Sequence, residues 1–312
     1  MRKITDRDIE RVPQGFLTDA IKAHIVAAAQ QGMAVAPTHH DAPIKSVVTM
    51  PSTTGANPYA SLSPHGNISV GNSQSGDQVL AGQDNANAPT LGPAVSEQLE
   101  KTGAECLGCI AADTLASRKA KTLALIGAGV GARAQLEMIA SIRAIERVKI
   151  FARQPVAAAQ LAKQFGSRTG IRTEVVGSPE EAVQNADMVI LATSSAEPVI
   201  DASWVAPGTF ITSLGAQSKS RHELPANIAR RAKIIASEGP QQILADPDHF
   251  LAGETAIKRI THLGSLVGKF DPDRDRGITL FLSSGVAGIE VVALNAAVGF
   301  LDSELPSRAQ SS

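Results

Sequence analysis

The chain has 312 residues, 43% of them hydrophobic, which is enough apolar material for a large buried core. Its 29 Lys and Arg residues nearly balance 30 Asp and Glu residues, so the net charge of -1 provides no basic field for nucleic acid or an anionic membrane. Two cysteines are too few for a disulfide-stapled scaffold, and the first residues are too polar for a secretory signal. We therefore expect a soluble, cytoplasmic protein whose partners are neither nucleic acids nor membranes.

The first third of the sequence predicts one helix followed by a looped antiparallel sheet. Apolar residues recur at helical spacing over residues 16–31, and Gly32 then ends the helix. After it, glycine, asparagine, serine, proline and threonine separate short β-type runs as far as Gly92. The runs that predict strands are residues 46–50, 68–70 and 78–80.

The rest of the sequence predicts helices and strands in alternation. Ser96 and Glu97 predict the capped start of a buried helix that continues to Leu115. From residue 121, short aliphatic runs alternate with helical stretches, and strands joined by helical crossovers pair in parallel. The predicted fold class is therefore α/β, with a Rossmann-type doubly wound parallel sheet. The predicted strands are residues 122–126, 148–151, 173–176, 186–192, 210–214 and 233–236, and the predicted helices are residues 133–142, 156–165 and 284–301.

A glycine-rich turn follows the first of these strands. Gly127 allows a tight turn, Gly129 lets the backbone approach a diphosphate, and the small Ala132 lets helix and strand pack closely. The new helix directs its free N–H groups and the positive end of its dipole at the phosphates. A turn without a ligand is the alternative, but the strand before it, the helix after it and a second strand favour a dinucleotide. Val130 and Gly131 complete the predicted cofactor-binding turn.

The end of the second strand predicts which dinucleotide is bound. A carboxylate is expected there to hold the ribose 2′-hydroxyl, but Ala152 occupies the position and Arg153 follows it. An arginine in place of the acid favours a 2′-phosphate. We therefore predict that NADP(H) is preferred and NAD(H) is possible, the alternative being a surface arginine with no ligand.

Two later strands end in small or polar residues that are further candidate cofactor contacts. Parallel sheets bind ligands at the carboxyl ends of their strands. Thr193, Ser194 and Ser195 follow one strand, and Leu214 and Gly215 end another.

Five segments of the chain carry sequence motifs: residues 125–132 (LIGAGVGA), 192–199 (ATSSAEPV), 214–224 (LGAQSKSRHEL), 263–268 (LGSLVG) and 278–285 (ITLFLSSG). In them the chain resembles the ornithine cyclodeaminase and mu-crystallin family, over residues 101–300. The resemblance implies a Rossmann domain at residues 117–285. It also implies an α+β substrate and dimerisation domain, made of residues 1–116 plus 286–312, and a homodimer.

The same resemblance implies an enzyme that moves a hydride to or from the carbon of a C–N bond in a small amino or imino acid. An imine or cyclic ketimine reductase is the leading interpretation. A true ornithine cyclodeaminase, which releases ammonia, and a non-catalytic NADPH-binding protein are the alternatives.

Lys101 and Thr102 correspond to an Arg-Thr pair of the family. The resemblance implies that the Thr102 hydroxyl holds the diphosphate and that Lys101 acts at the catalytic centre, where it holds a substrate carboxylate. A lysine lacks the planar two-point fork of an arginine, so it holds a carboxylate less rigidly.

Other family positions are replaced. Gln217 aligns with the catalytic aspartate of the cyclodeaminases, so the resemblance places it at the catalytic centre. As a neutral amide it can neither act as a base nor balance a substrate ammonium. The family's catalytic lysine has no counterpart, so we predict His65 as the proton donor and His39 and Lys45 as carboxylate holders.

Three remaining patterns predict structure rather than chemistry. The seven histidines form no His-Glu-x-x-His pattern, so no metal site is predicted. Cys106 and Cys109 are spaced like a redox pair but lie among apolar residues, which predicts core packing. Asp246, Asp248 and His249 predict a polar turn.

Overall fold

The computed structural model describes residues 9–31, 46–49, 57–62, 68–73, 93–269, 276–283 and 289–303. The chain divides into two compact units, one made of Met1–Cys106 with Gly285–Ser312 and the other of Leu107–Ser284. The domain limits expected from the sequence, after residues 116 and 285, stay a prediction about folding units.

Two helices pack together in the first unit. Gln14–Gln31 (α1) lies against Ile289–Ser303, the last helix of the chain (α8). Leu17, Ile21 and Ile25 recur at four-residue spacing and are buried, so one face of α1 is core. The two helices confirm those that the sequence predicts in these stretches.

The first unit also contains a three-stranded antiparallel sheet, in the order β1-β2-β3. Its strands are Ser46–Thr49 (β1), Asn57–Leu62 (β2) and Ile68–Ser73 (β3). β1 and β3 confirm predicted strands, whereas β2 was missed because asparagine and proline, both poor strand formers, open it. The strand predicted at residues 78–80 lies outside the described residues.

A long helix, Pro93–Leu115 (α2), runs from the first unit into the second. It begins three residues before the predicted cap, so Ser96 lies within its first turn and the prediction of an N-cap there was wrong. Proline is compatible with the first turn because its fixed φ matches the helix and its missing N–H would have no intrahelical partner.

The described part of the second unit is built on an eight-stranded, fully parallel sheet, in the order β12-β11-β13-β8-β7-β4-β5-β6. The unit also contains a small antiparallel hairpin, in which Gln217–Ser218 (β9) pairs with Arg221–His222 (β10). The strands of the sheet are Thr122–Ile126 (β4), Arg147–Phe151 (β5), Arg172–Val175 (β6), Met188–Leu191 (β7), Phe210–Ser213 (β8), Ala232–Ser237 (β11), Ile260–His262 (β12) and Ile278–Leu282 (β13).

The strand order confirms the doubly wound Rossmann-type sheet. β4 lies inside the sheet, with β5 and β6 on one side of it and β7, β8, β13, β11 and β12 on the other. The direction in which the chain adds strands therefore reverses between β4 and β7. In such sheets, ligands bind at this reversal, beside the carboxyl ends of the strands.

β12 and β13 were missed as strands. A short apolar run cannot be distinguished from a buried helical segment by periodicity alone. β13 pairs with both β8 and β11, so the strand made last in the chain lies inside the sheet. Thr279 of β13 is fully buried, and its hydroxyl donates a hydrogen bond to the carbonyl of Leu115 at 3.1 Å.

The helices of the second unit cover the sheet and largely confirm the predicted alternation. α3 and α4 begin slightly earlier than predicted, α3 directly after the glycine turn. These helices are Val130–Ile142 (α3), Pro155–Thr169 (α4), Pro179–Val183 (α5), Ala226–Arg231 (α6) and Pro240–Ala245 (α7). Among the residues described, no helix combines the length and apolar character needed to cross a membrane.

Candidate cofactor-binding cleft

A cleft of about 930 Å³ opens at the point where the strand order reverses. Its size suits an organic ligand rather than an ion. Three loops line it, each following the carboxyl end of a strand. They contribute Gly127, Ala128 and Gly129 after β4, Ala152, Arg153 and Gln154 after β5, and Thr193, Ser194 and Ser195 after β7.

Gly127 makes the turn after β4 possible. Its φ of +123° is a conformation that residues with a side chain rarely adopt, and a Cβ there would overlap the carbonyl oxygen of Ala192. Its N–H donates to the carbonyl of Phe151 at 2.8 Å. The turn is thereby fixed between the ends of β5 and β7.

Gly129 is the residue immediately before α3, and no side chain caps the helix there. The first turn of α3 contains no acidic residue, and nothing lies within 4 Å of a Cβ at Gly129. The free N–H groups and the positive end of the helix dipole therefore lie beside open space, which is the arrangement that binds phosphate.

The other residues predicted in this turn lie in different surroundings. Val130 is 80% exposed, and a Cβ at Gly131 would also meet open space. Ala132 is buried, so it lies on the packed face of α3 and does not line the cleft.

The loop after β5 contributes the charge of the cleft. Arg153 is exposed at its rim, next to Ala152 and Gln154. Of the described residues that line the cleft, none is acidic and Arg153 is the one with a charge. The cleft is therefore electrostatically suited to a polyanionic ligand.

The loop after β7 uses most of its own polar groups internally. The Ser195 N–H donates to Thr193 Oγ1 at 3.1 Å, and Ser195 Oγ donates to the carbonyl of Glu197 at 2.8 Å. Ser194 is exposed, and within the described chain neither its N–H nor its hydroxyl has a hydrogen-bond partner. Of the three residues predicted here, Ser194 is thus the best placed to contact a ligand.

A buried glutamate, Glu223, lies behind this loop. Its carboxylate accepts hydrogen bonds from the Ser213 hydroxyl at 2.7 Å, from the Gly215 N–H at 2.8 Å and from the Thr193 N–H. Gly215, predicted as a cofactor contact, thus directs its N–H at Glu223. Leu214, predicted with it, donates its N–H to the carbonyl of Leu191 at 2.8 Å.

The sequence alone did not identify Glu223 as a site residue. Its place in residues 214–224, one of the five segments that carry the family resemblance, was the signal that could have suggested it. Its partners lie in two separate segments of the chain, Thr193 after β7 and Ser213 with Gly215 at the end of β8, and the fold brings them together.

Gln217 lies at the same edge of the sheet, held at both ends of its amide. Its Nε2 donates to the carbonyl of Ser283 at 2.9 Å, and its Oε1 lies 3.1 Å from His249 Nε2. A carbonyl only accepts, so the amide orientation is fixed and His249 Nε2 is the donor to Gln217. The Leu251 N–H donates to His249 Nδ1 at 3.1 Å, which agrees with this tautomer.

His249 belongs to the predicted polar turn, in which the Asp248 N–H donates to Asp246 Oδ1 at 2.8 Å. The histidine itself is only 4% exposed. Burial lowers its pKa from 6.5 to about 4; the charge of Asp246 partly opposes this lowering, and the charge of His222 adds a smaller lowering. His249 is therefore neutral at physiological pH and acts as a structural partner of Gln217.

The structure describes only some of the residues predicted to bind or act on the substrate. His39, Lys45 and His65 lie outside the described residues. Lys101 and Thr102 lie on α2, where Thr102 is 5% exposed. Their roles stay predictions.

The two cysteines are buried, as predicted for core residues. Burial raises the pKa of the Cys106 thiol to about 11, which makes it unreactive near neutral pH. No group of three or more potential metal ligands occurs in the described part of the chain.

The sheet, the glycine at positive φ and the uncapped helix beside an open cleft together define a Rossmann-type dinucleotide-binding protein. More specifically, the chain belongs to the ornithine cyclodeaminase/mu-crystallin family, whose model matches residues 98–298.

Curated relatives share about 30% identity with the chain. A putative dehydrogenase of Rhizobium meliloti (strain 1021) is 30% identical over 54% of this chain and 52% of its own length. The ketimine reductase mu-crystallin of Mus musculus is 27% identical over 60% of this chain and 58% of its own. The chain thus spans little more than half the length of these relatives.

Solved structures match over nearly the whole chain. The Thermococcus litoralis Δ1-pyrroline-2-carboxylate reductase, in complex with NADH and L-proline, has a TM-score of 0.73 and 21% identity, covering 96% of this chain and 97% of that one. The iminosuccinate reductase of Paracoccus denitrificans, in complex with NAD⁺, has a TM-score of 0.71 and 20% identity, covering 96% and 95%. At such identities the likeness shows a shared fold.

Proposed function

We propose that the chain is a nicotinamide-dependent oxidoreductase that reduces the C=N bond of a small imino acid or cyclic ketimine. The observation that supports this most is the cleft at the strand reversal, with Gly127 and the free amino end of α3 on one side of it. Relatives named as pyrroline-2-carboxylate reductase and ketimine reductase support the reaction class.

The proposed placement of the dinucleotide follows from the cleft. The backbone of Gly129 and the first turn of α3 hold the diphosphate, with the Thr102 hydroxyl as a further contact. Arg153 holds a 2′-phosphate, so we propose that NADP(H) is preferred over NAD(H). The support is that the described cleft lining contains Arg153 and no acid that could hold a ribose 2′-hydroxyl.

The bound nicotinamide supplies the hydride, and the protein supplies the proton and holds the substrate. We assign the proton transfer to the imine nitrogen to His65, because histidine is the side chain that most often transfers protons near neutral pH. Lys101, Lys45 and His39 hold the substrate carboxylate. We expect the protein to act as a homodimer in the cytoplasm.

A true ornithine cyclodeaminase is a weaker candidate because of Gln217. Its amide is neutral and is held by Ser283 and the neutral His249, so it does not replace a catalytic carboxylate. A dinucleotide-binding protein without turnover is the third candidate.

One experiment separates the three. The protein is mixed with NADPH or NADH and a panel of imines and cyclic ketimines, and the absorbance of the reduced nicotinamide is followed. Substrate-dependent oxidation supports the reductase, ammonia release from ornithine supports the cyclodeaminase, and tight cofactor binding without turnover supports the binding protein. Failure to bind either cofactor contradicts all three.

A further inference from the structure

We propose that Glu223 is a positioning residue for the dinucleotide: its buried carboxylate holds the loop after β7 as the nicotinamide-side wall of the cleft. The proposal rests on the proposed function, because it requires a dinucleotide in the cleft. It concerns a residue that does not itself line the cleft.

The carboxylate joins three points of the chain at the carboxyl edge of the sheet. One oxygen, Oε1, accepts from the Thr193 N–H, and Oε2 accepts from the Ser213 hydroxyl and the Gly215 N–H. Thr193 begins the loop after β7, whereas Ser213 and Gly215 belong to the end of β8 and the loop after it. Glu223 is 1% exposed, and all three neighbours donate, so the carboxylate acts purely as an acceptor.

The backbone of the same segment holds the far end of the loop. The Val199 N–H donates to the Glu223 carbonyl at 2.9 Å, and the His222 N–H donates to the Ala196 carbonyl at 3.3 Å. Val199 and Thr193 both line the cleft. The loop is therefore fixed at its start by the side chain of Glu223 and at its end by the main chain.

The position of the loop assigns it to one half of the dinucleotide. Arg153, which marks the adenosine ribose, follows β5 on one side of β4, and the loop follows β7 on the other side. A dinucleotide whose diphosphate lies at the end of β4 thus places its nicotinamide half beside the loop. Displacement of this wall should weaken the whole dinucleotide but not its adenosine half.

Glutamine cannot replace Glu223 at this point. The amide has the same shape, but one of its two ends is an NH₂ group that only donates. Whichever way it is oriented, a donor faces the N–H of Thr193 or the donors of Ser213 and Gly215. Glu223→Gln therefore releases the wall without creating a cavity.

Asp187→Asn is a matched control. Asp187 Oδ2 accepts from the N–H groups of Lys121 and Thr122, both at 2.8 Å, and so joins the starts of β4 and β7. The substitution makes the same carboxylate-to-amide change at the opposite edge of the sheet. Both N–H groups bind the same oxygen, and asparagine retains one such acceptor, so this variant should keep its cofactor affinity and lose little stability.

The test measures the Kd of two ligands for the wild-type chain and both variants: NADPH, and adenosine 2′,5′-bisphosphate as a probe of the adenosine half alone. We expect Glu223→Gln to raise the Kd for NADPH about tenfold, the effect of losing one hydrogen bond to a charged group. The Kd for adenosine 2′,5′-bisphosphate should change by less than about twofold. An unchanged Kd for NADPH overturns the proposal. Equal weakening of both ligands also overturns it, since that indicates general loosening.

Ser213→Ala is the second variant in case Glu223→Gln does not fold. It removes one donor and should weaken NADPH binding by about threefold, with the probe again unaffected. Unchanged NADPH binding in this variant then counts against the proposal. A wild-type chain that binds no dinucleotide refutes the proposed function together with this inference, whereas a wild-type chain that binds NADPH like its variants refutes the role of Glu223 alone.

Discussion

The backbone of Gly127 lies directly against the carbonyl oxygen of Ala192, so the turns after β4 and β7 leave no room for a side chain between them. We predict that Gly127→Ala abolishes measurable NADPH binding and lowers the melting temperature. The methyl group would overlap the carbonyl, and alanine does not tolerate the positive φ of this position. Isothermal titration calorimetry and thermal unfolding measure the two effects.

Gly166→Ala is the control for this change. A Cβ at Gly166, within α4, meets its nearest neighbour, the Ile171 carbonyl oxygen, at 3.5 Å, an ordinary contact. This variant should keep its cofactor affinity. Its free energy of unfolding should stay the same or rise by about 0.5–1 kcal/mol, since alanine favours helices. Wild-type affinity in Gly127→Ala would show that the turn can rearrange.

Arg153 should determine the choice between the two nicotinamide cofactors. We predict that Arg153→Ala raises the Kd for NADPH about tenfold or more and changes the Kd for NADH less than about twofold, because only NADPH has the 2′-phosphate. Fluorescence titration of the reduced cofactors measures both constants. Arg172→Ala removes an equal charge at the start of β6, away from the cleft, and should alter neither. An NADH preference in the wild-type chain contradicts the assignment.

Ser194 and Ser195 should differ although they are neighbours. The hydroxyl of Ser194 has no partner among the described residues, whereas that of Ser195 donates to the Glu197 carbonyl. Ser194→Ala should therefore raise the Kd for NADPH about two- to tenfold, the value of one ordinary hydrogen bond. Ser195→Ala should lower the melting temperature and leave the Kd almost unchanged. The reverse pattern in a binding titration would mean that the loop rearranges around the cofactor.

His249 should make the protein less stable in mild acid. Its pKa is near 4 in the folded chain and near 6.5 when unfolded, so between these values the unfolded chain binds the additional proton. The free energy of unfolding should therefore fall as the pH drops from about 6.5 to 4, by up to about 3 kcal/mol, and this contribution should level off below pH 4. Urea unfolding at several pH values measures the slope.

His249→Gln isolates this effect. The pKa of His262 is also lowered by burial, so part of the acid sensitivity remains in the variant. The difference in slope between the wild-type chain and His249→Gln reports the single group. Identical slopes would show that His249 is not buried in solution.

The local features of the second unit could be predicted from the sequence. The strand, glycine turn and helix around Gly127 depend on residues that are adjacent in the chain, and periodicity and backbone chemistry are enough to identify them. Glu223 could not be identified in this way, because its role depends on hydrogen bonds from Thr193, Ser213 and Gly215. These residues lie beside Glu223 only in the folded sheet. His249 was predicted as part of a polar turn. The turn is present, but packing from outside the turn buries the imidazole.

The family resemblance identified a segment of the sheet that hydrophobic periodicity did not. It indicated residues 278–285 as a motif, although their pattern did not show a strand. The substrate residues are the opposite case. Histidines and lysines between residues 33 and 92 show no local pattern that separates a ligand-binding side chain from a solvated one, so His65 stays a prediction.

The place of β13 inside the sheet has a consequence for how the chain is made. β8 and β11 pair with β13 and not with each other, so they leave the ribosome with no strand between them. Until Leu282 has emerged, two apolar strand edges are open, and the sheet can close only by a contact between distant parts of the chain. Such late, non-local pairing slows folding and exposes edges that aggregate. Truncation before β13 should therefore yield an aggregating chain, even though the whole glycine turn has already been synthesised.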